Sequence, residues 1–172
     1  MNDPGARVGS QEFTIGIDNN DASMSQRDCD MARSIMRKVQ PSGFTPLREH
    51  VFFIRDQILA YADNLRASGQ QAVVVIATDG TPTDEIGISS EFARHQFIEA
   101  MRLLAGLPVW IVIRLCTDDD EVVQFYNELD EQLELSLEVL DDYIGEAKEV
   151  YEFNSWLNYA LPIHRLREFG KF

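Results

Sequence analysis

The sequence is short of positive charge, of cysteine and of long apolar runs. It has 15 Lys and Arg against 29 Asp and Glu, so the net charge is -14. This acidity disfavours nucleic acid and anionic membranes as partners, because both attract basic surfaces. The chain has 2 cysteines, too few for a disulfide framework, which predicts a reducing, cytoplasmic location. No apolar run is long enough to span a bilayer. Residues 1–11 lack the apolar core of a signal peptide and predict a flexible start.

Enough apolar residues are present for a folded domain. They make up 45% of the 172 residues, which predicts a single domain over residues 12–172. Strand patterns occur at "EFTIGI" (12–17), "QAVVVIAT" (71–78), "LPVWIVIRLCT" (107–117) and, as a short last strand, "AKEVYEF" (147–153). The second and third runs are apolar on both faces, which predicts a sheet covered on both sides.

Helical patterns separate these strands. The clearest begins near Pro46 and ends at Gly69, with an apolar stripe at three- and four-residue steps. The stripe consists of Leu47, Val51, Ile54, Ile58, Tyr61 and Leu65. Further helices are predicted from "DASMS" onward, over 89–106, over 118–140, and over 155–170 with an interruption near Pro162. This last helix is predicted to pack on the sheet.

The alternation of strands and helices predicts an α/β fold: a three-layer, Rossmann-like arrangement with a mostly parallel sheet between helices. Right-handed crossovers place the carboxyl ends of such strands at one edge, where these folds bind ligands. Asp79 follows the strand "VVVIAT" directly and precedes Gly80, so its side chain is predicted at that edge. Asp-Gly is also an ordinary turn pair, which is the simpler interpretation.

The segment "ATDGT" resembles the second half of the Asp-x-Asp-Gly-Thr motif of haloacid dehalogenase-like phosphatases. In that family the first aspartate is the nucleophile that forms an aspartyl-phosphate. Ala77 occupies this position here and has no nucleophilic atom. The phosphatase is therefore the alternative function, and we do not expect the chain to be an enzyme.

The apolar strand ending in "TDG" and the loop "PSGFTPL" (41–47) together resemble the von Willebrand factor A domain family. Asp79 follows Thr45 by 34 positions (79 minus 45), with a long amphipathic helix between them, as in the family. The resemblance implies a divalent-metal site (the metal-ion-dependent adhesion site, MIDAS) with Thr45 as direct ligand and Asp79 as a direct or charge-balancing one. Mg²⁺, or Mn²⁺ or Ca²⁺, would be the cofactor, since these cations prefer oxygen ligands. In the family, an acidic side chain of a partner protein completes the coordination.

The family also has an Asp-x-Ser-x-Ser motif after its first strand, and "DASMS" supplies Asp21, Ser23 and Ser25 in that pattern. Only 19 residues separate Ser25 from Thr45 (45 minus 25, minus 1), which is too few for the helix and two strands expected there. We favour an interpretation in which "DASMS" caps a helix and the domain lacks its first strand or strands. The alternative is a shortened domain in which these residues bind metal.

The sequence therefore predicts a protein–protein interaction or scaffolding domain, N-terminally incomplete and with an incomplete metal site formed by Thr45 and Asp79. The three histidines have no spacing typical of zinc sites. The acidic run "CTDDDE" (116–121) is predicted to be a helix N-terminus, where the helix dipole favours acids.

Overall fold

A computed structural model of the chain describes residues 15, 22–38, 45–84 and 86–169. Within these residues, helices and strands follow in the order α1 (Ala22–Lys38), α2 (Leu47–Ala67), β1 (Ala72–Thr78), α3 (Glu91–Arg102), β2 (Val109–Leu115), α4 (Asp120–Gln132), β3 (Leu137–Leu140), α5 (Tyr143–Phe153) and α6 (Leu161–Glu168).

The strands form a 3-stranded parallel sheet in the order β1-β2-β3. Val75 on β1 lies beside Val112 on β2, which in turn lies beside Glu138 on β3. A parallel pair needs a crossover, and α3 and α4 provide the two crossovers here. The predicted α/β class with a parallel sheet is confirmed, and the carboxyl ends of all three strands lie at one edge.

One face of the sheet carries the main core. Ile111 and Ile113 on β2 are fully buried beneath α2, α3 and α4. The aromatic rings there include Phe125 and Tyr126, which meet edge to face with centroids 4.9 Å apart. Full burial of each such side chain stabilises the fold by about 1.5–3 kcal/mol, so this face holds α2, α3 and α4 against the sheet.

The opposite face combines buried apolar side chains such as Val112 with charged side chains where α6 covers it. Arg114 on β2 pairs with Glu168 on α6, and Arg167 on α6 donates from Nε to Glu138 on β3 at 2.6 Å. Side chains alternate between the faces of a strand, so Arg114 and Glu138 lie opposite the core face. Helix α6 therefore lies over β2 and β3.

The same face is largely uncovered over β1. Val73 and Val75 are about half exposed, and the pattern of burial alternates along the whole strand. The prediction that residues 71–78 are buried on both faces is therefore wrong, whereas β2 is buried on both faces as predicted. The physical reason is that α6 pairs with β2 and β3 and not with β1.

Helix α2 confirms the predicted amphipathic pattern with one exception. Val51 and Ile58 are buried, but Tyr61 is exposed and Ala62 takes the buried position beside it. The stripe turns with the helical period of 3.6, which moves Tyr61 off the covered side. Gly69 follows the helix with φ of 65°, a left-handed conformation that suits glycine.

The last third of the chain differs from the prediction. Residues 147–153, predicted as a strand, belong to helix α5, because Asp142 caps that helix by accepting from the backbone N–H groups of Ile144 and Gly145. The strand is β3 instead, within the stretch attached to the preceding helix. Pro162 lies in the first turn of α6 and begins that helix rather than interrupting it.

The beginning of the chain is described only in part. Ile15 lies in a bend, which contradicts the predicted strand (12–17) at that position; the rest of that segment lies outside the described residues. Residues 1–11 also lie outside them. The helix predicted after "DASMS" is α1. Among the described residues, every helix is too short or too polar to traverse a lipid bilayer.

Candidate functional site

The loop that carries Thr45 meets the loop that follows β1. The backbone N–H of Thr45 donates to Thr83 Oγ1 at 2.9 Å, and the backbone N–H of Thr83 donates to the carbonyl of Thr45 at 3.1 Å. Helix α2 begins at Leu47, directly after this contact. The structure therefore places Thr45 at the carboxyl edge of the sheet, beside the loop that contains Asp79.

Asp79 follows the last residue of β1 and is exposed. The preceding residue, Thr78, accepts from the backbone N–H of Cys116 at 2.8 Å, which ties the ends of β1 and β2 together. Neither the Asp79 carboxylate nor the Thr45 hydroxyl has a hydrogen-bond partner among residues 22–38, 45–84 and 86–169. Joint metal binding by these two side chains stays a prediction.

The peptide after Asp79 is fixed by two hydroxyl groups. The hydroxyl of Thr78 donates to the carbonyl of Gly80 at 2.9 Å, and the phenol of Tyr126 on α4 donates to the same carbonyl at 3.1 Å. Burial raises the pKa of Tyr126 well above its usual range, so the phenol stays protonated and remains a donor. The aromatic core therefore determines the position of the backbone that carries Asp79.

The rest of this loop is organised around Asp84. Its Oδ1 accepts from the backbone N–H groups of Ile86 at 3.0 Å and Ile88 at 2.8 Å. Thr81 Oγ1 and Ser89 Oγ lie 2.6 Å apart and close the loop. Both isoleucines are nevertheless exposed, so the hydrogen bonds hold apolar side chains in solvent.

A groove of about 280 Å³ runs beside this loop. Ile86 and the exposed Phe92 border it on one side, and Arg48 and Glu49 of α2 on the other. Sequence reasoning missed this groove, because neither the pattern of the loop nor that of α3 indicates which apolar side chains stay outside the core.

The acidic run 116–121 begins α4 as predicted. Asp119 is the N-cap and accepts from the backbone N–H of Glu121 at 2.9 Å. Asp118 and Asp79 follow neighbouring strands, so both add negative charge at the carboxyl edge. Such a field attracts cations.

The described part of the "DASMS" motif lies in the first turn of α1. Ser23 and Ser25 are helical, whereas Asp21 is outside the described residues. A helix start here agrees with the favoured interpretation, and metal binding by this motif is untested. No group of three or more His, Cys, Asp and Glu side chains in the described ranges could hold a metal. A cation at the carboxyl edge would therefore depend on Thr45, Asp79 and water.

A buried polar network on the α6 side of the sheet was not predicted. The Tyr159 hydroxyl and His164 Nδ1 lie 3.1 Å apart, and Arg167 pairs with both Glu138 and Glu146. Burial lowers the pKa of His164; the Glu146 carboxylate opposes this shift, and the arginines nearby add to it. The signal available in the sequence was the pair of charges, Arg114 and Glu138, within otherwise apolar strands, since such charges require partners. The network lies on the other face from the main core and has no contact with Thr45 or Asp79.

A search of protein-family models and of curated protein sequences finds no match to this chain. The resemblance to von Willebrand factor A domains therefore depends on the two loop motifs and their order.

Proposed function

We propose that the chain is a von Willebrand factor A-like interaction domain. Its carboxyl edge would bind a divalent cation through Thr45 and Asp79 and engage a protein partner there. The observation that carries this proposal is the reciprocal hydrogen bonding between Thr45 and Thr83, which joins the Thr45 loop to the Asp79 loop.

The donor set suits a hard cation. A threonine hydroxyl and an aspartate carboxylate are oxygen ligands, and neither has a competing partner among the described residues. Mg²⁺ keeps several waters when bound to proteins, so two protein groups are enough to hold it weakly. Mn²⁺ and Ca²⁺ accept the same ligands. When bound, the cation would supply an open coordination position for an acidic side chain of the partner.

The surroundings of this edge support a protein partner. Ile86 and Phe92 are exposed and border the groove, and Ile88 of the same loop is exposed as well. Clusters of exposed apolar residues mark interaction sites. The Asp84 hydrogen bonds hold the loop in place, which lowers the entropy lost on binding. Nucleic acid and anionic membranes are poor partners for a chain of net charge -14.

Calorimetric titration with Mn²⁺ tests the proposal. We expect wild type to bind, and Asp79→Asn or Thr45→Val to weaken binding by about tenfold or more, since each removes a ligand or its charge. Asp63→Asn is the matched control, because Asp63 is a fully exposed aspartate near the end of α2, at the opposite edge of the sheet. Absence of heat in wild type, or equal effects of Asp63→Asn and Asp79→Asn, would contradict the proposal.

The phosphatase alternative predicts a different result. Ala77 offers no atom that could form a phosphoenzyme, so we expect no hydrolysis of a generic phosphate monoester. Turnover that Asp79→Asn abolishes would refute the non-enzymatic function and revive the alternative.

A further inference from the structure

Helix α6 has the reverse of the usual polarity. His164 and Glu168 are buried against the sheet, whereas Leu161 and Leu166 are about half exposed. A surface helix ordinarily places its apolar side inward. The polar side is retained inside because its partners are Arg114 and neighbouring charged groups, so the apolar side remains outside.

Large aromatic side chains are exposed in the segment before α6. Phe153 at the end of α5 is 85% exposed and Trp156, in the connection to α6, is 82% exposed. Leu157, next to Trp156 in the chain, is also exposed. We call Phe153, Trp156 and Leu157 the aromatic surface. Isolated exposed apolar residues are ordinary, but several together indicate a binding site, and aromatic residues dominate binding energy at interfaces.

Contacts between α5 and the segment that includes α6 hold the backbone on either side of the aromatic surface. The Tyr143 hydroxyl donates to the carbonyl of Tyr159 at 3.1 Å, and the two rings stack with centroids 6.0 Å apart. Arg167 of α6 pairs with Glu146 of α5, which joins the two helices. Binding would therefore require little ordering of the backbone around Trp156.

The charge around this surface selects among occupants. Residues 141–160 include five acids (Asp141, Asp142, Glu146, Glu149, Glu152) against one base, Lys148. Glu146 is paired with Arg167 of α6, which leaves four acids against Lys148. Partial burial raises the pKa of Glu149; the carboxylates of Glu146, Asp141 and Glu152 raise it further, and Arg167 opposes them. The local field is thus negative, and it favours a cationic occupant.

Two other occupants are disfavoured by the same charge. A second copy of the chain would bring an equal negative field and a net charge of -14 against this surface. An anionic bilayer would repel it for the same reason. An amphipathic helix with lysine or arginine on one side and large apolar residues on the other is complementary to this site. Its apolar side can contact the aromatic surface and its positive charges can pair with the acids at the border.

We propose that the aromatic surface on α5 and the α5–α6 connection is a docking site for a cationic amphipathic helix of a partner protein. Phe153 and Trp156 contact the apolar side of that helix, and Glu149 and Glu152 face its positive charges. This site is separate from the carboxyl edge of the sheet and does not depend on a metal.

Titration calorimetry with a synthetic amphipathic helix of leucine and lysine tests the proposal, with a leucine and glutamate helix of the same pattern as control. We expect the cationic helix to bind, and Phe153→Ala or Trp156→Ala to weaken it by about tenfold or more, as central aromatic contacts do. Both side chains are almost fully exposed, so neither variant should affect folding. Tyr61→Ala, which removes an exposed aromatic side chain from α2, should leave the affinity unchanged. Repeating the titration with a chelator should give the same affinity, which separates this site from the metal site.

Several results would overturn the proposal. Equal affinity of wild type and Phe153→Ala would show that the peptide binds through charge alone. Equal binding of the leucine and glutamate helix would show that the acidic border does not select a cationic occupant. Self-association that Trp156→Ala abolishes would assign the surface to a second copy, and binding to phosphatidylserine vesicles that the same variant abolishes would assign it to a membrane.

Discussion

The uneven cover of the sheet makes a sharp prediction about two neighbouring valines. Val75 on β1 and Val112 on β2 are partners in the parallel register and lie on the same face. Val112 is 0% exposed and Val75 is 48% exposed. Replacing each with alanine makes the same chemical change, so the difference between the variants measures the cover that α6 provides.

The magnitude follows from burial. Val→Ala removes two carbons, each worth about 0.8 kcal/mol when buried, and at Val112 a cavity adds to this. Val112→Ala should therefore lower the free energy of unfolding by about 2–3 kcal/mol. Val75→Ala should lower it by about 0.5–1 kcal/mol, because half of the side chain is already in water and no cavity forms.

Urea unfolding followed by circular dichroism measures the difference. With a slope of about 2 kcal/mol/M, the midpoint of Val112→Ala should fall by about 1 M and that of Val75→Ala by less than half as much. An unchanged slope in both variants is the control for two-state behaviour. Equal losses in the two variants would refute the reasoning, because they would require Val75 to be covered as Val112 is.

Three further predictions concern single side chains. Tyr126→Phe should cost about 1 kcal/mol of unfolding free energy, since it removes one donor to the Gly80 carbonyl; an unchanged urea midpoint would count against that hydrogen bond. Asp142→Ala should cost about 1–2 kcal/mol by removing the cap of α5, whereas Asp142→Asn should restore most of it in the same assay; no loss in Asp142→Ala would argue against α5. The pKa of His164 is lowered in the folded state, so the unfolded state binds the proton first as the pH falls below about 6.5. The contribution of neutral His164 to the free energy of unfolding should be fully present above that pH and decline below it. His164→Gln should flatten this decline in urea titrations at several pH values. Superimposable curves for wild type and variant would contradict the lowered pKa of His164.

The central elements could be predicted because their patterns are long. The apolar runs of β1 and β2 and the stripe of α2 each extend over several periods, and Gly69 supplies a clear end to the helix. Strand β3 was harder, because Leu137–Leu140 is short and follows an acidic helix with no glycine or proline between them. Residues 147–153 taken alone suggest a strand, because the residue that caps the helix, Asp142, lies upstream of them.

The cover of each face could not be predicted from local pattern. Leu161 and Leu166 suggest an ordinary packed helix, and the apolar residues of α6 were expected to face the sheet. The charges of Arg114 and Glu138 reverse that preference, because a buried charge without a partner costs more than an exposed leucine. Such pairing joins residues that are far apart in the sequence, so it leaves no local pattern from which it could be predicted.

The candidate site was predictable in position and not in surroundings. The order of the Thr45 loop, a helix and the Asp79 strand predicted the common edge, and the hydrogen bonds to Thr83 confirm that the loops meet there. The exposed Ile88 and Phe92 gave no signal, since the same residues at the same spacing could equally lie in a core.

Paramagnetic broadening by Mn²⁺ in nuclear magnetic resonance spectra tests the central claim most directly. If Thr45 and Asp79 bind one cation, their backbone amide signals and that of Gly80 should broaden first as Mn²⁺ is added. The signals of Gly69 and Gly106, which precede β1 and β2 at the opposite edge of the sheet, should remain sharp. Broadening that spares Thr45 and Asp79, or that affects both edges equally, would contradict a metal site at the carboxyl edge.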